Sequence, residues 1–432
     1  MKQFNVIIAA PNAATNCGGE AILPVHYFRI LRARGFEVDL FTHERNRDDL
    51  LSYFPPGTPG LHFIADTRLE KSIWGVGRYL PPLVQAATTS PMLSVCGDLR
   101  MARWIRTVIS ETVPTIVHVP APVSPKMPSG LFKLGAPVVF GPMNGNMSYP
   151  EGYEDNMSLT ERLVLPIGRM LSHLANLIIP GKLRAGALLV SNDRTAKALP
   201  IRTRPPYHLV ENGVDLSIWQ SSGSHRPIRT ADDPFRLLYV GRLVGWKALD
   251  ITLDALVKAR DLGIDAHLDI VGDGEQRSEL SKIVILRGLP EFVVFHGHQL
   301  QQRCAQIMAV SDGLILNSLR ECGGAVVLEA MASGLPVIAS DWGGPADYVT
   351  PETGQLVSPT PSDSFAHRLA LAIERLARDP DLCREMGAMG LKRVQTEFDW
   401  EAKVDTMTDI YRHVLSLPCQ SATPALPTAE IS

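Results

Sequence analysis

Cysteine is sparse and long apolar runs are missing. Six cysteines in 432 residues, at 17, 96, 304, 322, 383 and 419, form no C-x-x-C pair and show no metal-ligand spacing. That excludes a disulfide framework and favours reduced thiols in a cytoplasmic protein. No run of about 18 uncharged apolar residues occurs, so a membrane-spanning helix is not expected. Residues 2–10, KQFNVIIAA, carry one positive charge and a short apolar run with no small-residue cleavage site after it; they read as a buried first strand rather than a signal peptide. G-x-G-x-x-G is also missing, which removes the dinucleotide fingerprint. The single D-x-D, Asp379-Pro-Asp381, looks like a helix cap and turn. With no paired acids to hold a divalent ion, no metal is expected, and cations of the protein itself must neutralise any phosphate. His296-Gly-His298 reads as a strand end rather than a metal pair.

What is present describes an ordinary globular chain, with 45% hydrophobic and 20% charged residues and a mean hydropathy near zero. Its length exceeds what one core usually supports, so two domains of roughly 200 residues are expected. Strand patterns at Asn5–Ala10, Glu37–Thr42, Thr115–Val119, Pro137–Gly141 and Ala187–Ser191 alternate with helical or irregular stretches. A second series follows at Tyr207–Val210, Arg236–Gly241, His267–Gly272, Val293–Gly297, Gly313–Asn317 and Val337–Ser340. Strands alternating with helices predict α/β domains with parallel sheets. Two series predict two Rossmann-like domains, residues 1–203 and 204–398, divided at the proline-rich LPIRTRPP of 199–206. Helical periodicity returns at 399–418, and 419–432 read as a disordered tail. Leu61–Pro91, rich in Pro, Gly and aromatics, reads as a long irregular loop.

Charge is unevenly placed. Residues 1–205 hold 22 Lys+Arg against 15 Asp+Glu, whereas residues 206–432 hold 20 against 30. A basic first half suits an anionic partner. Within it, Asp98–Ile109 spaces Arg100, Arg103 and Arg106 three apart among Met101, Trp104, Ile105 and Val108. Such a segment fits either an anionic membrane surface or an ordinary surface helix with its apolar face in the core. No nucleic-acid partner is expected.

The chemistry concentrates in NSLRECGGAVVLEAMASGLPVIASDWGGPAD, residues 317–347. A strand-length run ends at Asn317, Gly323 and Gly324 follow, and a helical composition begins near Val326. Glycines let backbone approach a ligand, and a helix N-terminus offers free amides to an anion. Glu321 and Glu329 are eight residues apart, up to about 12 Å along a helix. A glycosidase carboxylate pair works at roughly 5–9.5 Å, so separate roles are indicated. After the strand RLLYV, Arg242 and Lys247 lie close enough to meet one anion. After the first strand, Gly18 and Gly19 precede a helix in the same fashion.

Taken in order, the glycine loop, GRL…K, VGDGE at 271–275, VVFHG, the E-x7-E pair, WGGPAD and FDWE resemble the family 4 (group 1) retaining glycosyltransferases of GT-B architecture. The resemblance implies two Rossmann-like domains facing across a cleft, with the FDWE helix crossing back to the first. It implies transfer of a hexose from a UDP- or GDP-linked donor to a saccharide or lipid-linked saccharide in polysaccharide or glycolipid synthesis, with retention of configuration and no cofactor. Arg242 and Lys247 would then stabilise the leaving diphosphate, with Gly18, Gly19, Cys322, Gly323, Gly324 and Ala325 beside the donor. Glu321 would meet the donor sugar, Glu329 the ribose, and Gly297 and His298 the nucleobase. Where the family usually has Lys-Gly, this chain has Lys247-Ala248. His118 stands where the family has an H-x-H segment, but Pro120 replaces the later His, so His118 is either a substitute catalytic residue or a strand residue. Asn144, Gly145 and Asn146 resemble an active-site loop of some members, and equally an Asn-Gly turn. The implied location is cytoplasmic, at the inner membrane face where the acceptor is lipid-linked. Alternatives on the same fold are a nucleotide-sugar epimerase and a non-catalytic nucleotide-sugar binder.

Overall fold

The computed structural model describes residues 4–15, 19–80, 84–85, 88–154, 159–219 and 229–417. Gly18 and the expected tail at 419–432 lie outside the described residues. Seven strands form the first sheet: β1 (Asn5–Ala9), β2 (Val38–His43), β3 (Leu61–Ile64), β4 (Thr115–Val119), β5 (Val138–Met143), β6 (Ala187–Val190) and β7 (Tyr207–His208). Six form the second: β8 (Phe235–Val240), β9 (Ala266–Val271), β10 (Val293–Gly297), β11 (Gly313–Leu316), β12 (Val337–Ser340) and β13 (Gly354–Val357). Their orders are β3-β2-β1-β4-β5-β6-β7 and β10-β9-β8-β11-β12-β13. Every pairing is parallel, for example Ile7 with Val117 and Ile315 with Ile338.

Both faces of each sheet are covered, which is why the strands read as unbroken apolar runs. In β1, Val6 and Ile8 enter the core shared with Tyr27, Phe28 and Leu31 of the helix Leu23–Ala33. Ile7 and Ala9 enter the opposite core with Met101 and Ile105 of the helix Thr89–Val108. In each sheet the strand order reverses once, between β1 and β4 and between β8 and β11. Ligands of open parallel sheets bind beyond the strand ends at that reversal. The two loops after β8 and β11 are the ones that carry GRLVGWK and NSLRECGG.

Three local readings change. Tyr207 pairs with Leu189 of β6, so this strand closes the first sheet instead of opening the second. The span expected to be an irregular loop contains β3 and a helix, Arg68–Gly77. That helix starts with a capping box in which Thr67 and Glu70 exchange hydrogen bonds, a pattern present in the sequence as T-x-x-E. Strand β13 had no counterpart among the expected strands, because GQLV offers only four residues of weak alternation.

The last helix, Trp400–Ser416, leaves the second domain and buries Trp400, Val404, Met407, Tyr411 and Val414 in the first-domain core. Outgoing and returning chains meet where the Val214 amide donates to the Phe398 carbonyl at 2.9 Å. Lys403 is buried there with its Nζ on the Val210 and Asn212 carbonyls, and burial lowers its pKa to about 7.

Candidate functional site

The two second-domain loops are bound to each other before any ligand is considered. The Asn317 amide donates to the Ala248 carbonyl at 2.8 Å and its Oδ1 accepts from Thr252 Oγ1 at 2.6 Å. The Leu319 amide donates to the Trp246 carbonyl at 2.8 Å. These bonds bring Lys247 against Glu321, and Lys247 Nζ forms an ion pair with Glu321 Oε2. Arg242 is exposed, its guanidinium 5.8 Å from the Trp246 ring centre, and among the described residues no carboxylate pairs with it. Ala248 has φ +52° and ψ +41°, the left-handed conformation that glycine adopts freely and alanine does not. The departure from Lys-Gly therefore kept the backbone shape and added strain.

Glu321 leads directly into the helix Ala325–Ala332, whose N-cap Gly324 has φ +81° and supplies no side-chain cap. The first amides of such a helix lack intrahelical partners and favour an anion. The WGGPAD loop supports this turn from behind. Gly344 N donates to the Glu321 carbonyl at 3.0 Å, and a Cβ at 344 would sit 2.1 Å from the Cys322 carbonyl oxygen.

Glu329 lies one turn into the helix and keeps part of its surface accessible. Crowding by protein pushes its carboxyl up to about 7, with burial the sole cause. Gly297 has φ +67° and accepts from Gly272 N at 2.8 Å, and His298 is exposed beside it. His296 is engaged with Asp269 at 2.6 Å, and among the described residues no three His, Cys, Asp or Glu side chains cluster as metal ligands.

In the first domain Gly19 has φ +64°, and Glu20 accepts from the Val123 amide at 3.0 Å. A cavity of about 420 Å³ opens beyond the ends of β1 to β4, with Asn12, His43, Asp66, Trp74 and Arg100 in its wall. Asp66 is 2.7 Å from His43 Nε2, and Arg100 turns inward onto Glu70 and the Ala65 carbonyl. Arg100 is therefore part of this wall rather than of a surface stripe with Arg103 and Arg106. The helix has an ordinary core face of Met101, Ala102 and Ile105, while Trp104 and Val108 point outward.

His118 does not reach this cavity. It is fully buried, with Nε2 2.7 Å from the Gly141 carbonyl and Nδ1 2.7 Å from the Tyr411 hydroxyl. Burial lowers its pKa to about 4. Both ring nitrogens are occupied, so of its two readings His118 takes that of an interior strand residue, with no ring nitrogen left to act on a substrate.

Sequence reasoning missed the polar junction between the domains. Glu211 is buried and accepts from Asn144 Nδ2 at 2.8 Å, Asn212 Nδ2 at 3.0 Å and the Ser191 hydroxyl. Asn192 and Arg194 reach Asp347 of the second domain at 2.8 and 3.5 Å. Trp342 Nε1 donates to the Ser148 carbonyl at 2.9 Å. The E-N-G triplet at 211–213 has the composition of a surface turn, and only its placement between two domains buries it.

Residues 222–393 match the family model described as glycosyl transferases group 1. The alpha-D-kanosaminyltransferase of Streptomyces kanamyceticus is 27% identical over 242 residues, 54% of this chain and 61% of that protein. The GDP-mannose-dependent alpha-mannosyltransferase of Mycobacterium tuberculosis is 31% identical over 231 residues, 53% of this chain and 57% of that protein. The chain thus spans little more than half the length of these relatives. The Anabaena protein HepE, in its complex with UDP, superimposes with a TM-score of 0.64 over 95% of this chain and 100% of that one at 14% identity, a likeness of fold. Two all-parallel sheets in this order, joined by a returning C-terminal helix, are the GT-B fold, and within the second of its domains residues 222–393 are similar to the group 1 glycosyl transferases.

Proposed function

We propose that this protein is a retaining, metal-independent glycosyltransferase that moves a hexose from a UDP- or GDP-linked donor to a saccharide acceptor. The observation that carries this reading is the Lys247–Glu321 ion pair on the two loops at the carboxyl edge of the second sheet, where Glu321 precedes the N-terminus of Ala325–Ala332 and Arg242 stands exposed on the loop after β8. The Lys247–Glu321 pair supports a donor exchange. A diphosphate takes over Lys247 while sugar hydroxyls take over Glu321, so each charge keeps a partner as the ligand binds. In transfer, the bond from C1 to the acceptor oxygen forms on the face where the C1–phosphate bond breaks. The departing phosphate oxygen receives the acceptor proton, and the fixed cations and helix amides stabilise the charge left on the diphosphate. Partly accessible Glu329 is suited to the ribose hydroxyls, and the exposed loop at Gly297 and His298 to the base.

The first-domain cavity supports a saccharide acceptor, since Trp74 offers a stacking face and the Asp66, His43 and Arg100 groups are held for hydroxyls. A lipid-linked acceptor presented at an anionic membrane fits the outward Leu69, Trp74, Val76, Tyr79 and Trp104 among Arg68, Lys71, Arg78 and Arg103.

Thermal unfolding with UDP, GDP and ADP tests the donor site. A ligand specific to the folded state adds about 2.7 kcal/mol at a hundredfold excess over its Kd. One nucleotide is expected to raise Tm in the native protein and not in Lys247→Ala. No shift with any of the three would overturn the donor assignment, and a sugar product formed without acceptor would favour an epimerase.

A further inference from the structure

Glu321 acts from a loop of the second domain, yet one grip on that loop comes from the first. Asn144 follows β5 directly, its backbone amide bonded to the Val123 carbonyl at 2.9 Å, so it stands at the carboxyl end of an inner strand of the first sheet. Its side chain is buried. One Nδ2 hydrogen is directed to Glu211 Oε1 and the other to the Cys322 carbonyl, both at 2.8 Å. That carbonyl is one residue from Glu321. Gly323, next in the chain, lies so close to the cluster that a Cβ there would be 2.2 Å from Asn212 Nδ2 and 2.3 Å from Glu211 Oε1. The segment 321–324 is therefore held between Asn144 and Glu211 on one side and Gly343 and Gly344 on the other.

We propose that Asn144 is a positioning residue that couples domain closure to the active geometry of Glu321. With the domains together, Asn144 holds the Cys322 peptide and so fixes the direction in which Glu321 leaves the backbone. With the domains apart, the Cys322 carbonyl loses this donor, and Gly323 and Gly324 leave the loop free to reorient. Glu211 aims the amide, because its carboxylate takes the other hydrogen and fixes the plane of the Asn144 group. The role goes beyond donor recognition, and only its turnover readout depends on the glycosyltransferase reading.

The experiment compares the native protein with Asn144→Ala and with Asn144→Asp, which keeps the shape but replaces both donors by acceptors. Trp342→Phe serves as a control that breaks a different interdomain hydrogen bond. Amide hydrogen exchange without substrate is expected to rise at 322–325 in both Asn144 variants and to stay at the native level in Trp342→Phe. In turnover, kcat is expected to fall at least tenfold in the Asn144 variants while the Kd for the stabilising nucleotide changes less than threefold. Native exchange at 322–325 in a folded Asn144 variant overturns the proposal, whether or not the protein transfers sugar. So does an equal loss of kcat in Trp342→Phe, which would assign the effect to domain docking in general. If Asn144→Ala does not fold, the isosteric Asn144→Asp decides alone.

Discussion

Single side chains hold most of the chemistry here, and their environments set measurable quantities. Glu329 has a folded pKa near 7 against an ordinary value of 4.5, caused by burial. Between those values the folded state binds more protons than the unfolded one, so this residue lowers stability as pH rises from about 4.5 to 7. Glu329→Gln is expected to match the native protein at pH 4.5 and to exceed it at pH 8 by up to about 3 kcal/mol, as read by urea unfolding. On the proposed role, in which ribose hydroxyls donate to the ionised form of Glu329, nucleotide affinity is expected to rise with pH through 7 in the native protein and to stay flat in Glu329→Gln. Ala248 gives a second test. Its left-handed backbone costs roughly 1–2 kcal/mol, and its buried methyl returns about 0.8 kcal/mol. Ala248→Gly is therefore expected to change stability by less than about 1 kcal/mol in the stabilising direction, with nucleotide binding retained. A loss above about 1 kcal/mol in the unfolding free energy would contradict the strain assigned to this turn.

Among the elements, the C-terminal helix is the one whose role departs furthest from its local sequence. Its amphipathic pattern showed a helix but not which core it would enter. Lys403, a charged residue within that helix, is buried against two carbonyls of the 210–212 crossover. Lys403→Met would leave both carbonyls without a donor, and a buried unsatisfied group costs about 1–3 kcal/mol. A loss in this range is expected from thermal unfolding; native Tm would mean that the crossover does not depend on Lys403. Tyr411 and His118 show the same relation from the other side. Their hydrogen bond joins the last helix to the first sheet, so His118 serves the crossover and not the chemistry.

On the scale of the whole molecule, the excess of positive charge lies on the first domain, together with the exposed Leu69, Trp74, Val76, Tyr79 and Trp104, and the loops proposed to meet the nucleotide lie on the second. Co-sedimentation with phosphatidylglycerol vesicles is expected for the native protein at low salt, with a decline as the Debye length falls from about 10 Å at 0.1 M to 3 Å at 1 M. Trp74→Ser with Trp104→Ser is expected to reduce vesicle binding several-fold without changing the nucleotide-dependent Tm shift. Equal binding to neutral phosphatidylcholine vesicles, or no effect of the double substitution, would remove the membrane-presented acceptor.

Much of this architecture was legible without coordinates, because strands buried on both faces must be apolar throughout and the helices between them must alternate. That constraint located most strands of both sheets to within two residues, and the glycine and acid spacing located the loops after β8 and β11. The short β3 and β13 escaped because four residues carry too little periodicity, and Tyr207 was assigned to the wrong sheet because pairing partners are not written in a strand. Local sequence also determined that Glu321 follows a strand and Gly324 starts a helix, since turns and caps depend on neighbours along the chain. Only the tertiary structure decided that Lys247 pairs with Glu321, that His118 is sealed beneath Tyr411, and that Asn144, Glu211 and Cys322 meet. Those contacts join residues from 67 to 293 positions apart, and their partners are chosen by how two domains and a returning helix pack, which no local pattern encodes.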